Sequence, residues 1–302
     1  MPNARPHRHQ AAGTGSITAL ALLSCLLAPN PATTAPACSA SPVSASAAPC
    51  VLHTETSRFN DRVLVVESGG FRAMRFASID GRDQSRIRPG HPDMLPMPYL
   101  RSAAVGLIAS RTLERVLVIG LGGGAFPRFV AARYPQVEID AVEIDPVVAR
   151  VARDYFGVVE NSRLRVHVTD AVEYVKRPHE PYDYVLLDAY GADDLPAALT
   201  SSIFLRRVRD RLRRGGILAV NIALRSDFRA RALIDKIRAD FQHCLRLQSL
   251  PSSNDVLLLS DRMLPDRPVL LSRAASFDVG GGTGARMQDH IAAAQDCAPP
   301  SN

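Results

Sequence analysis

Lysine is almost missing from this 302-residue chain: Lys176 and Lys236 are the only two. The net charge of +6 and the pI of about 9.3 therefore rest on arginine. The arginines are scattered, with modest clusters at Arg206-Arg207 and Arg211 to Arg214 on what reads as one helix. No aromatic side chains interleave with them, so they read as a solvated helix face and no nucleic-acid partner is expected. Cysteine is also sparse. The five, at 25, 38, 50, 244 and 297, include no Cys-x-x-Cys pair and no zinc-type spacing, so no metal is expected. The histidines, His179 and His243 among them, show no partner pattern and read as surface residues. The apolar stretch Ile17 to Ala28 is too short to span a bilayer as a helix.

That stretch follows a basic start (Arg5, His7, Arg8, His9) and precedes a tract of Ala, Pro, Ser and Thr from Pro29 to Pro49. Residues 1–50 thus match a secretory leader, with small-residue cleavage sites at Ala35-Pro36-Ala37 and Ala45-Ser46-Ala47. Leu22-Leu23-Ser24-Cys25 loosely resembles a lipoprotein lipobox, which would attach the chain to a membrane through a lipidated Cys25. An oxidising compartment would let the remaining cysteines pair, in an order the sequence does not reveal.

Residues 51–98 read as a small β unit. Arg62 to Glu67 and Phe71 to Ser78 are its strands, with a hairpin turn at Ser68-Gly69-Gly70. Residues 99–275 alternate in the βαβ manner: a helix at Tyr99 to Ser110, then strands at 116–119, 137–142, 164–168, 183–187 and 216–222. Leu212-Arg213-Arg214-Gly215-Gly216 reads as a helix end capped by glycine. Strands at 244–249 and 255–260 form an antiparallel edge hairpin around Pro251 to Asn254. Residues 276–302 are Gly- and Pro-rich and read as an unstructured tail. The expected fold is α/β: a Rossmann-like, mostly parallel sheet preceded by the β unit.

The chemistry gathers around Val116 to Ala125. Four apolar residues, Val116 to Ile119, run into Gly120-Leu121-Gly122-Gly123-Gly124. A buried strand ending in a glycine turn lets a ligand approach bare backbone. Glu143 follows Gly120 by 23 residues at the next strand end, near the ~20 expected of an acid that binds ribose hydroxyls. Gly120, Gly122, Gly124, Glu143 and Asp170 are therefore the expected nucleoside-binding residues, with Asp170 accepting from an exocyclic amine. Asp145 reads as a helix cap before Pro146, and Asp170 also has the position of a cap. Asp188 ends the fourth strand, where a carboxylate faces the reacting end of a ligand. The loop after it carries Tyr190, Asp193 and Asp194, assigned to substrate binding. The third glycine of a dinucleotide loop is out of place here, and an adenosyl-sulfonium ligand fits better than a dinucleotide.

These motifs, together with Val142 to Asp145, Thr169 to Ala171, Asp188 to Tyr190 and the helix Leu199 to Leu212, resemble the spermidine synthase (polyamine aminopropyltransferase) family. The resemblance covers about residues 60–260. It implies a class I methyltransferase fold, a decarboxylated S-adenosylmethionine donor, a small amine acceptor and a homodimer. By position, Glu143 would hold ribose, Asp170 the adenine end, and Asp188 would be the catalytic acid/base. Three departures mark a divergent branch. The family's loop aspartate is replaced by Gly123. Its Ser-Ser-Asp-Pro after the catalytic Asp is replaced by Ala189-Tyr190-Gly191. Its Tyr-His-Glu segment is missing, with His91-Pro92-Asp93-Met94 standing near it.

Two other functions stay open on the sequence. One is a methyltransferase of the same fold using intact S-adenosylmethionine, which the loss of an acid at Gly123 favours. The other is a non-catalytic exported binding protein, which the leader favours because adenosyl donors are made in the cytosol.

Overall fold

The structure, a computed structural model, describes residues 49–190, 195–223, 227–249, 251, 254–277 and 285–297. The leader with Cys25, the loop acids Asp193 and Asp194, and the chain end lie outside the described residues.

The N-terminal unit is a four-stranded antiparallel meander in the order β1 (Cys50–Glu55), β2 (Val63–Ser68), β3 (Phe71–Phe76), β4 (Asp83–Ile87). Only β2 and β3 carry a strand pattern in the sequence. The outer strands lack it because His53 and Asp83 break the apolar alternation on which a strand assignment rests. Cys50, expected to close an unfolded leader, instead opens β1 and is disulfide-bonded.

Helix α1 (Pro98–Ala109) leads into the main sheet. Its chain order is β5 (Arg115–Ile119), α2 (Ala125–Arg133), β6 (Glu138–Glu143), α3 (Pro146–Phe156), β7 (Leu164–Val168), α4 (Ala171–Lys176), β8 (Tyr182–Leu187), α5 (Ser202–Asp210) and β9 (Leu212–Ala223). Then come α6 (Asp227–Arg238), β10 (His243–Gln248), β11 (Asn254–Ser260), α7 (Arg267–Ala275), α8 (Met287–Ala292) and β12 (Gln295–Asp296). The strand order is β12-β10-β11-β9-β8-β5-β6-β7, with β9 to β7 parallel and the remainder antiparallel. Chain direction across the sheet reverses between β5 and β8. In an open α/β sheet that is where ligands bind, at the carboxyl ends of the strands.

β8 is buried along its whole length, as a continuous apolar run covered on both faces should be. Apolar side chains pack on either side of the sheet, one group with α1, α2 and α3, the other with α4, α5 and α6. Asp145 caps α3, accepting from the Val147 amide at 2.9 Å, and Gly157 ends that helix with φ 70°.

Three expectations need correction. Gly215-Gly216 does not end a helix. α5 stops at Asp210, and Gly215, with φ 81°, lies in a bulge of β9, where pairing jumps from Tyr182–Leu212 to Tyr184–Ile217. Nor are residues 276–302 an unstructured tail throughout. Their described part, residues 285–297, folds as α8 and β12: Met287, His290 and Ile291 are fully buried, and Cys297 is bonded to Cys244 on β10. The glycine-rich lead-in obscured a short apolar pattern that the disulfide pins down. Third, the histidines are not all at the surface. His290 is buried, and His167 Nε2 meets Asp140 at 2.8 Å. Among the described residues no helix is long and apolar enough to cross a membrane.

Candidate active site

A cavity of about 640 Å³ opens at the reversal point, between the carboxyl ends of β5, β6 and β8 and the N-terminal meander. Gly120, Gly122, Glu143, Asp170, Asp188 and Tyr190 all line it. Gly124 sits behind the loop as the left-handed residue before α2, with φ 68°.

The glycine loop is shaped by packing and by one carboxylate. Gly120 has φ 95°, and a Cβ there would run into the backbone carbonyl of Asp188. A side chain on Gly124 would strike Val158. Glu143 is buried, and its carboxylate accepts three backbone amides: Leu121 at 3.0 Å, Gly122 at 3.4 Å and Asp145 at 3.0 Å. Burial raises its pKa, and those three amides pull it partly back. A carboxylate has about four acceptor positions, so a diol can still find one. Asp170 caps α4, accepting from Val172 at 2.7 Å, while remaining exposed at the cavity.

Asp188 is set differently. It stands one residue beyond β8, and its amide donates to Ile119 O at 2.8 Å. It is half-buried and lines the cavity. Burial pushes its pKa up to about 7, against hydrogen bonds from Asn221 and Tyr99 that lower it. Asn221 Nδ2 donates to Asp188 Oδ1 at 2.8 Å, and Asn254 Nδ2 donates to Asn221 Oδ1 at 2.9 Å. Tyr99 is itself buried; burial and the Asp188 charge raise its pKa, so its hydroxyl remains a donor. A carboxyl group poised near neutrality at a strand end is equipped to take up a proton.

Tyr99, Asn221 and Asn254 were missed by sequence reading. A signal existed for Asn221, the lone polar residue in the buried run Ile217 to Ile222. Tyr99 hid among the apolar positions of α1. It lines the cavity from the first turn of α1, whereas His91 and Asp93 lie exposed on a turn and do not line it. Tyr190 lines the cavity, and its hydroxyl also braces β9, donating to Asn221 O and accepting from the Ala223 amide, both at 2.7 Å. At Gly123 an added Cβ would meet Phe156 Cδ1 at 2.7 Å and Ser85 Oγ at 2.9 Å. The space an acid would need is filled.

Residues 102–248 match the spermine/spermidine synthase domain family. The polyamine aminopropyltransferase of Vibrio vulnificus is 35% identical over 176 residues, 57% of this chain and 58% of that protein's own length. The chain thus spans less than two thirds of this relative. A probable spermidine synthase from Corynebacterium glutamicum superimposes with a TM-score of 0.65 at 21% identity, covering 83% of this chain and 97% of the other. Human methyltransferase-like protein 13, solved with SAH, gives 0.55 at 26% identity, over 60% and 90%. The matched domain therefore has the Rossmann-like fold common to those two proteins, and the glycine loop, Glu143, Asp170 and Asp188 all fall inside the matched residues.

Among the described residues no three metal-binding side chains converge. The polar groups lining the cavity suit an organic ligand: carboxylates, amides and phenols beside an exposed glycine backbone.

Proposed function

We propose that the protein transfers the aminopropyl group of decarboxylated S-adenosylmethionine to a small amine. The observation that carries this reading is the placement of Asp188 at the end of β8, lining one cavity with the glycine loop, Glu143 and Asp170, where burial pushes its carboxyl up toward neutrality. The relation to an aminopropyltransferase supports it.

In this reading Glu143 and the glycine loop hold the ribose, and Asp170 takes the adenine edge. The acceptor nitrogen attacks the carbon next to sulfur. A new C–N bond forms, the C–S bond breaks, and 5′-methylthioadenosine leaves with the electron pair. The nitrogen's extra proton goes to Asp188. Tyr99 and Asn221 aim that carboxylate, so most of the rate gain comes from alignment and proton removal. Tyr190 borders the acceptor; Asp193 and Asp194 are assigned to the acceptor from the sequence alone.

A second reading is methyl transfer from intact S-adenosylmethionine. Gly123 favours it, because Phe156 and Ser85 occupy the place of an acid that would select the decarboxylated tail. Calorimetric titration of the full chain with each donor separates the two. Tighter binding of the decarboxylated donor is expected; tighter binding of the intact donor would establish the second reading.

A further inference from the structure

We infer that Phe59, on the loop joining β1 to β2, is an adenine-stacking residue, held over the nucleoside end of the cavity by a latch to Asp145. This rests on the proposed adenosyl ligand but not on which group is transferred.

The loop is fixed at both levels. Within it, Ser57 Oγ accepts the amides of Phe59 at 3.1 Å and Asn60 at 2.9 Å, and the Ser57 amide donates to Asn60 O at 3.0 Å. Across to the main sheet, Ser57 Oγ donates to Asp145 Oδ2 at 2.5 Å, and Asn60 Nδ2 donates to the same oxygen at 2.9 Å. Asp145 is buried, and its own amide donates to Glu143 Oε1 at 3.0 Å. A hydrogen-bonded chain therefore runs from the loop to the carboxylate assigned to ribose. Phe59, between the two latching residues Ser57 and Asn60, lines the cavity together with Glu143 and Asp145.

Phe59 is 38% exposed and Ile144 44% exposed, and both line the cavity. Large apolar side chains held open at a cavity wall suit a flat, apolar-faced ligand such as a purine. Arg58 lies over the Phe59 ring, its guanidinium carbon 4.5 Å from the centroid, so one face of the ring is already taken. The other is available to a base. Asp145, read from the sequence as a helix cap, thus does two jobs: it caps α3 through Oδ1 and latches the loop through Oδ2.

The test uses 5′-methylthioadenosine, titrated calorimetrically into the full chain. Base–aromatic stacking is worth about 1–3 kcal/mol, so Phe59→Ala should weaken binding about five- to 150-fold. Ile203→Ala, which removes an exposed side chain outside the cavity, should leave it unchanged. Asn60→Ala should weaken binding by loosening the latch. The chain has no tryptophan, so Phe59→Trp installs its one tryptophan, excited selectively above the tyrosine band, and keeps the stack. Its emission should change on adding the nucleoside, while that of Ile203→Trp should not. Wild-type binding with Phe59→Ala within twofold of it and Phe59→Trp silent would overturn the stacking role alone. No nucleoside binding to the wild-type chain would overturn the stacking role and the donor reading together.

Discussion

Asn221 reaches across from β9 and donates its side-chain amide to Asp188 at 2.8 Å, tying the acid at the end of β8 to the neighbouring strand. Asn254 on β11 holds Asn221 in turn at 2.9 Å. Three adjacent strands thus converge on one carboxylate. Because this bond favours the charged form, Asn221→Ala should raise the Asp188 pKa. The acid limb of the rate profile, near pH 7 in the wild type, should move to higher pH, with the plateau rate lowered less than by loss of Asp188 itself. An unmoved limb would place the titrating group elsewhere.

Asp188→Asn should reduce the proposed transfer by about 10²- to 10⁴-fold, the usual worth of a positioned acid/base. It should also stabilise the fold at neutral and alkaline pH. A carboxyl group whose pKa rises from 3.8 to about 7 on folding binds its proton more tightly when folded, so stability is lost as pH climbs across that window. Replacing it removes a penalty of up to about 4 kcal/mol at pH 8. At pH 4 the variant and wild type should have nearly equal stability. Urea unfolding at the two pH values checks both statements.

Restoring the family's loop acid should fail here. Gly123→Asp puts a Cβ 2.7 Å from Phe156 and 2.9 Å from Ser85 Oγ. Overpacking of this kind costs about 1–3 kcal/mol. A lower melting temperature is expected, with no gain in affinity for the decarboxylated donor. A gain at unchanged stability would show that the loop makes room.

The Cys244–Cys297 bond should matter more for stability than for chemistry. It joins residues 53 apart and fastens β12 to β10, far along the sheet from Asp188. In the chain-entropy account a loop of that length is worth about 4 kcal/mol. Replacing both cysteines by serine should lower the urea midpoint while leaving the Michaelis constants near wild type. An unchanged midpoint would mean that packing of Met287 and Ile291 alone holds the C-terminal segment.

Most of what positions the site could be read from the sequence. The run Val116 to Ile119 into glycines, the acid at Glu143 and the strand end at Asp188 are local patterns with a local physical cause. The residues that finish the site are not local. Tyr99 lies 89 positions before Asp188, and Asn254 lies 33 after Asn221, so their meeting depends on strand order. The same holds for the loop latch: Ser57 and Asn60 are ordinary turn residues until the meander brings them to Asp145. Gly215 misled for the opposite reason. Its left-handed conformation was foreseen, but a bulge and a helix cap use glycine alike, and only pairing with β8 tells them apart.

The most direct test of the central claim is the identity of the nucleoside released. The full chain is incubated with a panel of small amines and either decarboxylated or intact S-adenosylmethionine, and products are separated by liquid chromatography with mass detection. Aminopropyl transfer predicts 5′-methylthioadenosine from the decarboxylated donor, dependent on an amine and largely lost in Asp188→Asn. S-adenosylhomocysteine from the intact donor, with no 5′-methylthioadenosine from the other, would contradict it and establish methyl transfer.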